Sequence, residues 1–341
     1  MIRTTLLMLV LFATTLTTPV LASYPPQPLA VPAFFSIANK SNGVDFDWIR
    51  LRDSSTEYSI FVADITALGS GTGSGCTSSP VAMFNCIHSA GRNYKILGYV
   101  NTAGGSRASN YVTGGGDGQA YITQWYNTYG GYIDGIFLDV GPATGSGTSL
   151  QSYYQGLHTS IVGHSGPCAS SKACVMLNAS QFEQDWVLSS SVANYVVTWE
   201  KPVGAGTNQY YLATGTTGFI PAAASQSPTG WYTDPAKVGS TSHLIYGVSD
   251  SVYSIASIVC KSQSAYGGPM LYVYDGTSSG YNHLPSYFET LAGNALNCPA
   301  QAQLPCGDGS TDSCGNNCGF GTYCTPGTGY CQDLGQYYGC Q

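Results

Sequence analysis

Apolar residues in this chain gather into short unbroken runs, separated by longer stretches in which they recur every third or fourth position. The run Ile133-Asp134-Gly135-Ile136-Phe137-Leu138-Asp139 is of the first kind, and Tyr195-Val196-Val197-Thr198-Trp199-Glu200 repeats it. β-Branched and aromatic runs without alternation are what strands look like when both faces are covered, as in a parallel sheet wrapped by helices. Strands are predicted over residues 29–35, 58–64, 95–101, 134–139, 174–178, 195–200, 243–249 and 270–275. Between the third and fourth, Ile122, Trp125, Tyr126 and Tyr129 fall on one helical face that stops at Gly130-Gly131. Leu150, Tyr153, Tyr154, Leu157 and Ile161 repeat that stripe, as do Val252, Ile255, Ala256 and Val259. These are packing faces. Eight strands alternating with helices predict an α/β fold, a (β/α)8 TIM-type barrel, over residues 23–297.

Both ends of the chain break the pattern. Residues 1–22 read as a signal peptide: Arg3 supplies the positive start, Leu6 to Phe12 the apolar centre, and Val20-Leu21-Ala22 the cleavage site. No segment reaches the roughly 20 apolar residues of a membrane span, so the expectation is a secreted protein, extracellular or associated with the cell wall. Residues 298–341 read as a linker and a small disulfide-rich module, with six cysteines between Cys306 and Cys340. Too few apolar residues remain there to form a core, so bridges must stabilise it. Six more cysteines, at 76, 86, 168, 174, 260 and 298, lie in or beside the barrel. Cys76 with Cys86 and Cys168 with Cys174 would close short local loops and are the favoured pairs. The sequons Asn39-Lys40-Ser41 and Asn178-Ala179-Ser180 fit the secretory route.

Charge narrows the choice of partner. Only 9% of residues are charged, against 26 tyrosines and 43 glycines, so surface polarity rests on hydroxyls and amides, which suit neutral polyhydroxyl ligands. Removing Arg3 with the leader leaves 10 basic against 18 acidic residues, which argues against nucleic acid. The spacing of cysteines and histidines offers no metal site, no cofactor motif is present, and the chain is read as a monomer.

Carboxylates are the remaining chemistry. Asp139 and Glu200 end the fourth and sixth strands, where α/β barrels carry their reaction sites. Two carboxyls flanking a glycosidic oxygen are the minimum equipment for acid-assisted cleavage: one protonates the leaving oxygen, and the other attacks or activates water. Asp64, Asp250 and Asp275 would ring the same mouth, although a lone strand-end Asp more often caps the next turn. No GxSxG elbow, phosphate loop or HExxH element competes with this reading.

At these residues the chain resembles the spherulin 4 family of secreted microbial proteins, some of which are glycoside hydrolases. The resemblance rests on Ile96-Leu97-Gly98-Tyr99-Val100-Asn101-Thr102, Asp134 through Asp139, Met176-Leu177-Asn178, Val196 through Glu200, and Leu284-Pro285-Ser286-Tyr287-Phe288. It implies a (β/α)8 barrel and, in the hydrolase members, endo-cleavage of an α-linked N-acetylgalactosamine-containing exopolysaccharide. By the same resemblance Asp139 and Glu200 are the catalytic candidates; Asp64, Tyr99, Asn178, Trp199 and Asp275 are expected around them as substrate-binding residues. The family's site carries a second acid directly after the first Asp, and Val140 stands there in this chain. Either Asp139 and Glu200 suffice, another rim acid such as Asp64 or Asp275 substitutes, or this member binds cell-wall or coat glycan without cutting it.

Overall fold

The computed structural model describes residues 26–71, 74–142, 148–179, 185–203, 234–250, 255–266, 268–277 and 280–296, with three short segments at 322–324, 331–333 and 336–338. The expected signal peptide and linker, and most of the expected cysteine-rich module, lie outside these residues.

Eight strands pair in chain order, all parallel: β1 (Ala30–Ala33), β2 (Ile60–Ala63), β3 (Lys95–Asn101), β4 (Gly135–Asp139), β5 (Cys174–Asn178), β6 (Tyr195–Pro202), β7 (Thr241–Tyr246) and β8 (Met270–Val273). A parallel bridge between Leu29 and Leu271, with the Leu271 amide donating to the Pro28 carbonyl at 3.1 Å, brings the last strand back to the first. The result is a nearly closed TIM-type barrel. Helices run between the strands: α1 (Asp47–Ser54), α2 (Pro80–His88), α3 (Ser109–Gly114), α4 (Ile122–Tyr129), α5 (Gln151–Val162), α6 (Pro235–Val238) and α7 (Ile255–Tyr266), with α8 (Phe288–Leu296) after β8.

Strand and helix chemistry meet at Gly98. A Cβ there would stand 2.4 Å from the Trp125 ring, so the bare backbone of β3 is what lets α4 seat its indole. Trp125 is fully buried and donates its ring N–H to the Tyr99 carbonyl at 2.9 Å. At the barrel seam Arg50 of α1 holds Asp47 and reaches Glu289 of α8, tying the first helix to the last.

Six strands differ from the sequence prediction at one or both ends, and for the second and the seventh the start has a physical reason. The second begins at Ile60 because Tyr58 adopts a left-handed backbone (φ 64°) and stays exposed. The seventh begins at Thr241, two residues early, because Thr241 and Ser242 are buried despite their hydroxyls. Thr241 meets that burial by donating to the Val238 carbonyl at 2.8 Å. Between β5 and β6 the described residues hold only a 3₁₀ turn, Asp185–Leu188. Cys76–Cys86 and Cys168–Cys174 are bonded as the short loops suggested, and Cys260 is also in a disulfide. Near the C-terminus, Thr322–Cys324, Cys331–Asp333 and Gln336–Tyr338 pair into a three-stranded antiparallel sheet. No helix among the described residues is long and apolar enough to cross a membrane.

Candidate active site

Parallel strands put all their C-terminal tips at one mouth, and three tips bring the acids together. Asn178 ends β5, between Asp139 on β4 and Glu200 on β6. Its side-chain amide donates to Asp139 Oδ1 and to Glu200 Oε2, each at 2.8 Å. Two bonds of that length to one nitrogen hold the two oxygens no more than twice 2.8 Å, or 5.6 Å, apart. Asn178 is itself buried, so its sequon serves the site and leaves no room for a glycan.

Burial raises the Glu200 carboxyl above its ordinary range. The Asn178 hydrogen bond opposes that shift, the Asp139 charge adds to it, and the Tyr281 hydroxyl opposes it. Tyr281 donates to Glu200 Oε1 at 3.1 Å, so both Glu200 oxygens are held. Sequence reasoning missed this tyrosine. It lies on the loop after β8, where no periodicity marks it; its place beside Leu284-Pro285, within one of the quoted motifs' reach, was the available signal.

Aromatic rings wall the acids. Phe34 at the exit of β1 meets Tyr99 edge-on at 4.9 Å and Tyr281 at 6.2 Å. Burial, and then the Asp139 charge, raise the Tyr99 hydroxyl well above its usual value. Tyr99 therefore stays neutral beside the acid.

The other expected residues stand differently. Asp64 accepts from the Thr66 amide and hydroxyl at 2.9 Å each, capping the turn after β2, while its charge still reaches Tyr99. Asp275 bonds His283 Nε2 at 3.0 Å in a rim cluster with Tyr274 and Asn282, apart from the bridged pair. Trp199 is only 3% exposed and packs in the hydrophobic core, unlike the acid beside it in sequence. Trp199 and Glu200 are consecutive in the regular β6–β7 pairing, so alternation sets the indole on the face opposite the acid.

Val140, at the exit of β4, has a strained backbone. It is β-branched yet left-handed (φ 50°), and it is 46% exposed. Side chains of this type rarely adopt that conformation, at a cost of about 1–3 kcal/mol. Its neighbours enforce it. Thr102 donates from its amide to the Asp139 carbonyl at 2.9 Å and from its hydroxyl to the Val140 carbonyl at 2.7 Å. The Gly104 amide also donates to the Val140 carbonyl at 2.7 Å, and the Gly141 amide to the Asn178 carbonyl at 2.8 Å.

The family model of the spherulation-specific family 4 matches residues 29–295, the whole barrel. The chain belongs to that family. Among solved structures, this family member is similar to Aspergillus clavatus Sph3, crystallised in complex with GalNAc. The likeness covers 80% of this chain and 98% of that one at 18% identity, with a TM-score of 0.51, and shows a shared barrel fold. No curated protein matches the chain. Among the described residues of this spherulin, no His, Cys, Asp and Glu group is arranged to hold a metal ion.

Proposed function

We propose that the chain is a secreted glycoside hydrolase that cleaves an (N-acetyl)galactosamine-containing polysaccharide with Asp139 and Glu200. The observation that carries this reading is the Asn178 amide shared by both carboxylates, which keeps them within reach of one glycosidic bond. The GalNAc bound to Sph3, a similar barrel, supports the choice of sugar.

The geometry also favours one course of reaction. Carboxyl groups about 5–5.5 Å apart suit direct attack on the sugar, whereas an inverting pair stands roughly 6.5–9.5 Å apart to admit water. Asp139 is assigned the nucleophile and Glu200 the acid, because burial raises the Glu200 carboxyl above its ordinary range and so favours a proton there. Glu200 gives that proton to the glycosidic oxygen as the bond to the anomeric carbon breaks and the Asp139 oxygen bonds to that carbon. Glu200, now a carboxylate, then takes a proton from water, whose oxygen displaces Asp139 and leaves the sugar with its original configuration. Proton NMR of fresh product from galactosaminogalactan tests this: the α-anomer should accumulate first, and initial β-product would refute the nucleophile assignment.

Val140 favours a second reading. The family's adjacent acid is absent at this exposed corner, which supports a protein that holds cell-wall or coat glycan without cutting it. Retention of polysaccharide by wild type with no reducing ends released would decide for that alternative.

A further inference from the structure

Two clefts open among the loops that leave β2 and β3. The larger, about 620 Å³, is lined by Asn101, Ser106, Arg107, Tyr111, Asp117 and Gln119. The smaller, about 300 Å³, is lined by Thr66 and Gln124 among others, and Gln119 borders both. Such volumes fall at or within the roughly 300–1,000 Å³ of small-molecule sites. Asn101 sits opposite Asp139 in the β3–β4 register, so the larger cleft begins one strand away from the acids.

The cleft is built before any ligand arrives. Arg107 is nearly buried and grips Asp117 with two guanidinium nitrogens, Nη2 at 2.6 Å from Oδ1 and Nε on Oδ2. It also donates to the carbonyls of Asn101 and Ala120 at 3.0 Å and of Tyr111 at 3.3 Å. Tyr153 in turn donates to the Arg107 carbonyl at 2.8 Å, which fixes the arginine against α5. The turn that leads from α3 into the cleft loop requires glycine: Gly115 has φ 85°, and a Cβ there would stand 2.3 Å from the Tyr121 ring. A preformed loop avoids the ordering cost that a mobile one incurs on binding.

Its chemistry selects the ligand. Arg107 and Asp117 neutralise each other, so what the cleft presents is the exposed Tyr111 ring, the amides of Asn101 and Gln119, and the Ser106 hydroxyl. A flat aromatic face beside uncharged hydrogen-bonding groups suits a neutral pyranose: its C–H face lies on the ring and its hydroxyls meet the amides.

We propose that this cleft is a remote sugar subsite, holding a neutral unit of the same polysaccharide chain whose scissile bond lies between Asp139 and Glu200. The proposal rests on the glycan reading above and adds the groups that would recognise a long chain over a single sugar. Binding energy gathered here would favour polymer over fragments without touching the reacting bond.

Calorimetric titration tests it in the Glu200→Gln background, where turnover is suppressed, with galactosaminogalactan and with N-acetylgalactosamine as separate probes. Tyr111→Ala should weaken polymer binding about tenfold, the order of one stacking contact. Gln119→Trp, which crowds both clefts, should weaken it at least as much. Neither should change affinity for the monosaccharide, and both should keep the parent's thermal midpoint because the side chains are exposed. Unchanged polymer affinity in both variants overturns the subsite and leaves the glycan reading standing, as does an equal loss for monosaccharide and polymer. A parent protein that binds neither probe overturns the glycan reading itself, and the subsite with it.

Discussion

Glu200 concentrates the conflict between stability and function in one residue. Its carboxyl titrates higher in the folded chain than in the unfolded one, so folding favours the protonated form. That stabilisation is complete below the ordinary glutamate range and is lost as pH rises through the raised value. Glu200→Gln removes the cost of burying a charge, and Gln can still accept from Asn178 while donating to Tyr281. Its thermal midpoint at pH 7 should equal or exceed that of wild type, with the gap closing toward pH 4. A midpoint several degrees lower at pH 7 would contradict the burial argument. Val140→Gly tests the strained corner, since glycine adopts a left-handed backbone freely. It should raise stability by up to about 1 kcal/mol in urea titration, because relief of strain outweighs the added freedom of the unfolded chain. Loss of stability would show the valine side chain to be worth more than its strain. At this scale the acids and Asn178 were legible because strand ends mark them. Tyr281 was not, because a loop residue aimed back at Glu200 leaves no pattern in its neighbours.

Elements carry the geometry that the acids need. Arg50 lies inside the α1–α8 seam, with Nη1 3.1 Å from Asp47 Oδ1, Nε 2.7 Å from Glu289 Oε1 and Nη2 2.9 Å from Glu289 Oε2. Asp47 is fully buried, and losing the arginine leaves its charge with only Ser41 and Asn39 as partners. Arg50→Ala should cost about 3 kcal/mol or more, measured by urea unfolding. A change under 1 kcal/mol would mean that the seam contributes little. The strands of the barrel were legible because parallel β-structure buries both faces and writes continuous apolar runs. β7 escaped in part, since the buried hydroxyls of Thr241 and Ser242 look like a loop when read as sequence. The contact of Arg50 with Glu289 spans the whole barrel, and no local spacing announces it.

At the scale of the whole molecule, several titrating groups pull the pH profile in opposite directions. His243 is fully buried, and burial pushes it down to about 3. Its neutral form therefore contributes stability that is present above the ordinary histidine range and lost as pH falls toward 3. Glu289 is driven up by burial but held lower overall by Arg50, and Asp117 is held low by the Arg107 hydrogen bond, so both add stability that acid removes. Glu200 works the other way. The thermal midpoint should fall steadily below about pH 6, with His243→Phe flattening the upper part of that fall. Identical profiles for the two proteins would remove His243 from the acid response. Eight alternating units were enough to predict the barrel, while the mouth was legible only as a set of strand tips. Which tips bond to one another depends on side-chain reach across neighbouring strands, and that is a property of the closed fold.

Reducing ends released from galactosaminogalactan test the central claim most directly, with wild type run beside Asp139→Asn, Glu200→Gln and Val140→Glu. The account predicts release by wild type and a loss on the order of 100-fold or more in each of the first two variants, as expected when an acid needed for proton transfer or attack is removed. It predicts flat or lower activity for Val140→Glu, because a further carboxylate beside Asp139 repels its charge. No release by wild type, with cleavage appearing only in Val140→Glu, would contradict it and leave the protein a glycan binder.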